Sequence, residues 1–261
     1  MRRALLLMIP VMLLAARAAA GEVPAAPAAP AAPAAPAAGE EAAGKPVADA
    51  ELDGLLAGWK ARQAESRTVV CKFSCTENLA MLVRPRVTGG RLEILRPGGY
   101  RRTVLDPGTG EVRGLMILKP PDLWVYVPDL KAAEHYSLPG PRPGQDAAGA
   151  GGSQDISGLL EDVTSFDAAR LRRRFRMTAA HDGEAVRLEF TSLDGKPVAG
   201  IARLRLWLRP GAAFPERMET TNSTGDVRLE TFSDVRLGGK LDEALFSFKA
   251  PAGVKVTEVT R

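Results

Sequence analysis

The apolar positions of the chain follow two periods. Leu52, Leu55, Leu56 and Trp59 fall at i, i+3, i+4 and i+7, the spacing of one helix face. Asp49 stands where an N-cap is expected, and Glu51 suits the first turn, where the helix dipole favours acid. After Ser66 the period becomes two. Val69, Cys71, Phe73 and Cys75 alternate with Val70, Lys72, Ser74 and Thr76, which predicts a strand with one buried face.

Strand-like segments then recur at short spacing: Arg91–Leu95, Tyr100–Leu105, Val112–Leu118, Leu123–Val127 and His135–Leu138. Pro139–Gly152 is rich in Gly, Pro and Ala and predicts a mobile loop. Ile156, Leu159, Leu160 and Val163 return to helical spacing. Further strands follow around Phe175–Ala179, Val186–Phe190, Ala202–Leu208, Met218 and Val227–Val235. In the third of these, Ala202, Leu204, Leu206 and Leu208 share one face, while Arg203, Arg205, Trp207 and Arg209 share the other.

About eleven strands and two helices, joined mostly by hairpin-length connections, predict an α+β chain that is mainly antiparallel β. A large antiparallel sheet with one apolar face curls. The expected architecture is therefore a curved half-open β-barrel, with helices plugging the open side and an apolar hollow wherever the interior is not filled.

The ends of the chain change how its charge is read. The formal charge is +4. Arg2 and Arg3, the apolar run Ala4–Ala16 and the small residues Ala18-Ala19-Ala20 predict a cleaved signal peptide over 1–20, the alternative being a retained membrane anchor. Cleavage removes Arg2, Arg3 and Arg17, three positive charges, and leaves +1. A nearly neutral mature chain gives no footing for nucleic acid. No cysteine follows the apolar run, so the chain is not expected to be a lipoprotein itself; the compartment expected is the periplasm. Residues 21–45 form an Ala/Pro-rich linker, in which Pro24–Ala38 repeats Pro-Ala-Ala five times. Proline at every third position keeps such a tract extended, at ~3.1 Å per residue. The folded domain is placed at 46–261.

Little catalytic chemistry is legible. There is no Gly-x-Ser-x-Gly elbow, and His135 and His181 have no nucleophile near them in sequence. Gly149-Ala150-Gly151-Gly152 lies in a loop and not between a strand and a helix, so it is no phosphate loop. No spacing suits a metal, and neither a cofactor nor an enzymatic activity is expected. Cys71 and Cys75 lie four residues apart on one strand, roughly 13 Å at the usual rise, too far for a disulfide. They read as small core side chains, with the lining of a ligand cavity as the alternative. Arg84-Pro85-Arg86, Arg101-Arg102 and Arg172-Arg173-Arg174 with Arg176 read as solvated outer faces, the alternative being contact with anionic headgroups or an acidic partner.

Several stretches resemble the periplasmic lipoprotein carrier LolA and the lipoprotein-sorting family around it. The helix ending at Trp59 with Val69-Val70-Cys71-Lys72-Phe73 resembles the family's opening. Leu92–Arg101 contains its strand, Arg-Pro and Arg-bearing strand. Leu123-Trp124-Val125-Tyr126-Val127-Pro128 is similar to its Leu-Trp-x-Tyr-x-Pro segment, and Leu159-Leu160-Glu161-Asp162 resembles the broader relatives. Phe246-Ser247-Phe248 followed by Pro251 and Gly253-Val254 resembles its close. The Pro-Ala linker, the 139–152 loop and the two strand cysteines depart from the family pattern.

The resemblance implies a half-open barrel with a helical lid and a sleeve for acyl chains. Its expected walls are Phe73, Leu92, Ile94, Val125, Leu204, Leu206 and Leu208. Its expected lid is Ile156, Leu159, Leu160 and Val163, with Arg96 matching the arginine that holds the lid closed. The implied function is that of a monomeric periplasmic carrier or chaperone. It would take acyl chains of lipoproteins, or another lipid, from an envelope donor to an acceptor towards the outer membrane. The alternative is an envelope sensor that uses the same fold to bind a protein or lipoprotein.

Overall fold

The computed structural model describes residues 44–138, 172, 175–193, 195–197 and 200–259. The expected signal peptide, most of the linker, the 139–152 loop and the lid residues Ile156, Leu159, Leu160 and Val163 lie outside the described residues.

Helix α1 spans Asp49–Ala64 and buries Leu52, Leu56, Trp59 and Gln63, so the apolar face expected from spacing is the packed one. Asp49 is its first residue and not its cap. Ala48 occupies the cap position without a side-chain hydrogen bond, and Asp49 and Glu51 both serve the first turn as dipole partners.

Among the described residues, twelve strands form one sheet. They are β1 (Thr68–Asn78), β2 (Arg86–Leu95), β3 (Gly99–Leu105), β4 (Val112–Lys119), β5 (Asp122–Val127) and β6 (Ala132–Ser137), then β7 (Phe175–Asp182), β8 (Ala185–Ser192), β9 (Ile201–Leu208), β10 (Arg217–Asn222), β11 (Val227–Leu237) and β12 (Lys255–Val259). Their order is β12-β6-β5-β4-β3-β2-β1-β11-β10-β9-β8-β7. Two meanders, β1–β6 and β7–β11, are therefore joined along β1 and β11. β12 and β7 end the order without pairing with each other, so the sheet is open. Every pairing is antiparallel except β12 with β6.

β12 is the strand absent from the sequence-based count. It has five residues, no alternation of burial, and a parallel partner far away in sequence, so none of the usual local signals marks it. The remaining eleven lie where periodicity places them. One parity error occurs in β9: a register shift at Thr221/Asn222 makes Ile201, not Ala202, pack with the core.

The register sorts the side chains into two faces. Val69, Cys71, Phe73 and Cys75 of β1 face the same way as Leu92 and Ile94 of β2, and Phe232 and Glu230 of β11. Continuing outwards, that inward face gathers Tyr100 and Arg102 of β3, Val125 of β5, and Leu204, Leu206 and Leu208 of β9. Helix α1 lies on this face at one end only. Leu52, Leu56 and Trp59 pack with Phe175 of β7, Val186, Leu188 and Phe190 of β8, and Leu204, Leu206 and Leu208 of β9. Just before the helix, Lys45–Val47 pairs with β7: Val47 N donates to the Ala179 carbonyl, and His181 N donates to the Lys45 carbonyl.

The opposite face has its own packing. Leu95, Ile117 and Phe246 form a buried cluster with Trp124, Leu245 and Phe248 around its rim. Phe246 lies in a short 3-10 turn, Glu243–Phe246, started by the Asp242 carboxylate, which accepts from Ala244 N at 2.9 Å. Gly99 admits this ring, since a Cβ there would stand 2.9 Å from the Leu95 carbonyl and 3.2 Å from Phe246.

Candidate functional site on the inward face of the sheet

The expected wall residues all point inwards and are all buried, but they belong to three separate clusters. Phe73, Leu92 and Ile94 pack with Val69, Cys71 and Cys75. Val125 packs with Leu118, Leu123, Tyr136 and Leu138. Leu204, Leu206 and Leu208 lie beneath α1. The structure thus brings three of the seven together, places a fourth further along the same face, and commits the last three to holding the helix.

Arg96 sits between strands and helix. Its Nη1 donates to the carbonyls of Gln63, at 3.1 Å, and Ser66, at 2.8 Å. The last carbonyls of a helix lack partners within it, and a guanidinium there satisfies them and complements the dipole. Among the described residues, Arg96 therefore secures the C-terminal end of α1. The reciprocal pair Arg96 N to Arg67 O and Arg67 Nε to Arg96 O ties the same corner together.

The middle of the inward face is not apolar. Arg102 and Arg86, expected on solvated outer surfaces, face inwards. The parity of β3 places Arg102 beside Tyr100 and Val104, and Arg101 on the other side. The Arg102 guanidinium lies 3.6 Å from the centre of the Phe73 ring and meets Glu230 Oε1 at 2.9 Å, with both ionic side chains about 95% buried. Arg228 meets the same oxygen at 2.5 Å. Arg86 meets Glu77 at 2.6 Å, and Glu77 is likewise buried. Across four strands a polar island thus interrupts the apolar lining. β3 and β11 are three steps apart, roughly 14 Å in a flat sheet. The direct Arg102–Glu230 contact shows how strongly the sheet curls.

The electrostatics follow from that packing. Burial alone would raise the Glu230 pKa, but Arg102 and Arg228 outweigh it and hold the carboxyl below the usual range. Cys71 and Cys75 are free, buried and part of this face. Burial pushes the Cys71 thiol up to about 12, with Glu230 adding to the rise and Arg102 opposing it. Burial raises Cys75 as well, against Arg228. Both thiols therefore stay protonated and act as small apolar side chains near an ion cluster. Gly90 on β2 makes room at the centre: a Cβ there would stand 1.9 Å from the Thr103 carbonyl and 3.1 Å from the Phe73 ring.

On the outer face, a cleft of about 420 Å³ is bordered by Lys119, Asp122, Trp124, His135, Phe246 and Phe248. His135 stacks on Trp124 with ring centres 4.0 Å apart. Its Nδ1 lies 2.7 Å from Glu258 and its Nε2 2.9 Å from Asp122, so both ring nitrogens face carboxylates. His181, near the β7–β8 turn, lies 3.4 Å from Glu51. Among the described residues no group of three His, Cys, Asp or Glu side chains is placed to hold a metal.

Parity was the signal that sequence reasoning passed over. Arg102 shares parity with Tyr100 and Val104, and Glu77 with Cys71 and Cys75, so alternation marks these two as interior; Arg228 and Glu230 alternate with Val227 and Leu229, and only the pairing with β1 places them inwards.

No protein-family model and no curated protein matches the chain. Solved structures do. A LolA superfamily protein from Nitrosomonas europaea aligns with TM-score 0.37 and 12% identity, over 75% of this chain and 97% of that one. LprF from Mycobacterium bovis aligns with TM-score 0.38 and 16% identity, over 81% and 100%. An uncharacterized conserved protein from Thermus thermophilus aligns with TM-score 0.46 and 13% identity, over 80% and 99%.

Proposed function

We propose that this chain is an exported, non-enzymatic lipid carrier, whose inward sheet face receives acyl chains of lipoproteins or of another lipid and passes them on towards the outer membrane. The observation that supports it is the uneven use of the inward face. Helix α1 packs on β7–β9, whereas the apolar clusters around Phe73, Leu92 and Ile94 and around Val125 contain no residue of α1. An acyl chain gains about 0.8 kcal/mol per buried CH₂ from such a lining, with no covalent chemistry. A binding face beside a separately anchored helix lets cargo leave without unfolding the scaffold. Arg96 serves this arrangement by fixing the end of α1 against β2. Ile156, Leu159, Leu160 and Val163 are proposed as the lid that closes over the cargo.

Native mass spectrometry of the protein purified from the envelope of cells that export it tests this reading. Lipid or lipoprotein adducts that leave on mild activation are expected. Their absence, together with no fluorescence gain from an apolar dye, overturns the carrier role.

A further inference from the structure

We infer that the polar island on the inward face is a binding site for the oxyanionic headgroup of a lipid, with Arg102, Arg228 and Thr88 as its donors. The inference rests on the carrier reading and narrows its cargo.

Three buried polar atoms carry it. Among the described residues, Arg102 Nη2, Arg228 Nε and Thr88 Oγ1 have no hydrogen-bond partner. A buried N–H of a charged group without an acceptor is costly, and buried donors in folded proteins are nearly always satisfied. All three atoms belong to inward-facing residues of neighbouring rows. Thr88 stands opposite Cys75, and Cys75 opposite Glu230. Both guanidiniums meet one oxygen of Glu230, which fixes them as neighbours while leaving an N–H on each unused.

Charge points the same way. Among the described residues, two guanidiniums, those of Arg102 and Arg228, share one oxygen of a single carboxylate, Glu230. In a region of low dielectric a further anion is the natural complement of such a pair. A carboxylate or phosphate supplies both the charge and the acceptor lone pairs. An acyl group in ester or amide linkage supplies no charge.

Exposure and neighbours give the ligand a direction. Arg86 and Arg228 keep 22% and 24% of their side chains in solvent, whereas Arg102 keeps 5%. The basic groups thus lead from the surface inwards. Beyond Arg102 the lining is apolar, with Phe73 and Leu92 in the core and Val104, Phe214 and Phe232 packed against it. A headgroup on the island places its tail along these side chains.

The full mature chain, titrated at mildly alkaline pH with palmitate, methyl palmitate and inorganic phosphate, tests the inference. Palmitate is expected to bind about tenfold more tightly than its methyl ester, which has the same tail without the charge. Phosphate at millimolar concentration is expected not to displace palmitate. The triple variant Arg102→Met, Arg228→Met and Glu230→Met removes both donors together with the carboxylate they share, which buried sites tolerate better than loss of one partner. In it the preference is expected to fall to within about twofold. Acid and ester bound equally by the unaltered chain overturns the headgroup site and leaves the carrier reading intact. Displacement by phosphate alone overturns the lipid as source and assigns the site to a free oxyanion. Binding of neither palmitate nor its ester overturns the carrier reading, and the inference with it. Should the triple variant not fold, the acid-against-ester comparison on the unaltered chain still decides.

Discussion

The two ends of the inward face solve the same problem differently. At β7–β9, alternation supplies an apolar surface, and α1 covers it with Leu52, Leu56 and Trp59. At β1–β3 and β11 the inward positions include Arg102, Glu230, Glu77 and Arg228 beside Phe73 and Leu92. The first region is a core in the ordinary sense, closed by its own helix. The second holds ions at high electrostatic stakes, stable only while each carboxylate keeps its guanidinium. The contrast teaches that an inward position in a curled sheet is a location and not a chemistry.

The contrast breaks most sharply at Glu230. Glu230→Gln leaves Arg102 and Arg228 without their shared counter-charge in a buried setting, and a loss of about 3–5 kcal/mol is expected in urea unfolding. A loss below about 1 kcal/mol would mean that the network is solvated and the two regions are alike. Next comes the helix-covered end. Leu206 is fully buried under α1, and Leu206→Ala is expected to cost about 2–5 kcal/mol, in proportion to the cavity it leaves. Leu206→Met, by comparison, should cost less than about 1.5 kcal/mol, because an apolar core tolerates shape changes that an ion network does not.

The smallest effect sharpens the comparison at an edge belonging to neither region. Burial opposes protonation of His135, but hydrogen bonds to Asp122 and Glu258, and their charges, outweigh it and hold its pKa above the ordinary 6.5. A raised folded-state value means that this contribution is complete below about pH 6.5 and fades as pH rises through the folded value. Amide exchange in β12, corrected for intrinsic rates, should therefore show less protection at about pH 8.5 than at about pH 5.5. His135→Gln should remove the difference. A pH-independent β12 in the unaltered chain would show that the two carboxylates do not hold this edge.

Much of the architecture was legible because it rests on local periodicity. Eleven of the twelve strands and the apolar face of α1 follow from period two and period 3.6. β12 was not, because five residues paired in parallel with β6 leave no local trace. The site was legible in part. Phe73, Leu92 and Ile94 do meet, but Val125 packs elsewhere and Leu204, Leu206 and Leu208 serve the helix, a division that depends on where α1 docks. Arg102 was misplaced because two adjacent arginines look like a solvated patch, although on a strand they must face opposite ways.

The sequence by itself determined which residues alternate, which stretch is helical, and a formal charge of +4. Those properties depend on neighbours a few positions apart. Only the tertiary structure decided that Arg102 on β3 reaches Glu230 on β11, that Arg96 closes the end of α1, and that the inward face is part core and part ion cluster. Such pairings depend on the curl of the sheet and the strand order, which bring distant residues within bonding distance, and a one-dimensional pattern does not encode that curl position by position.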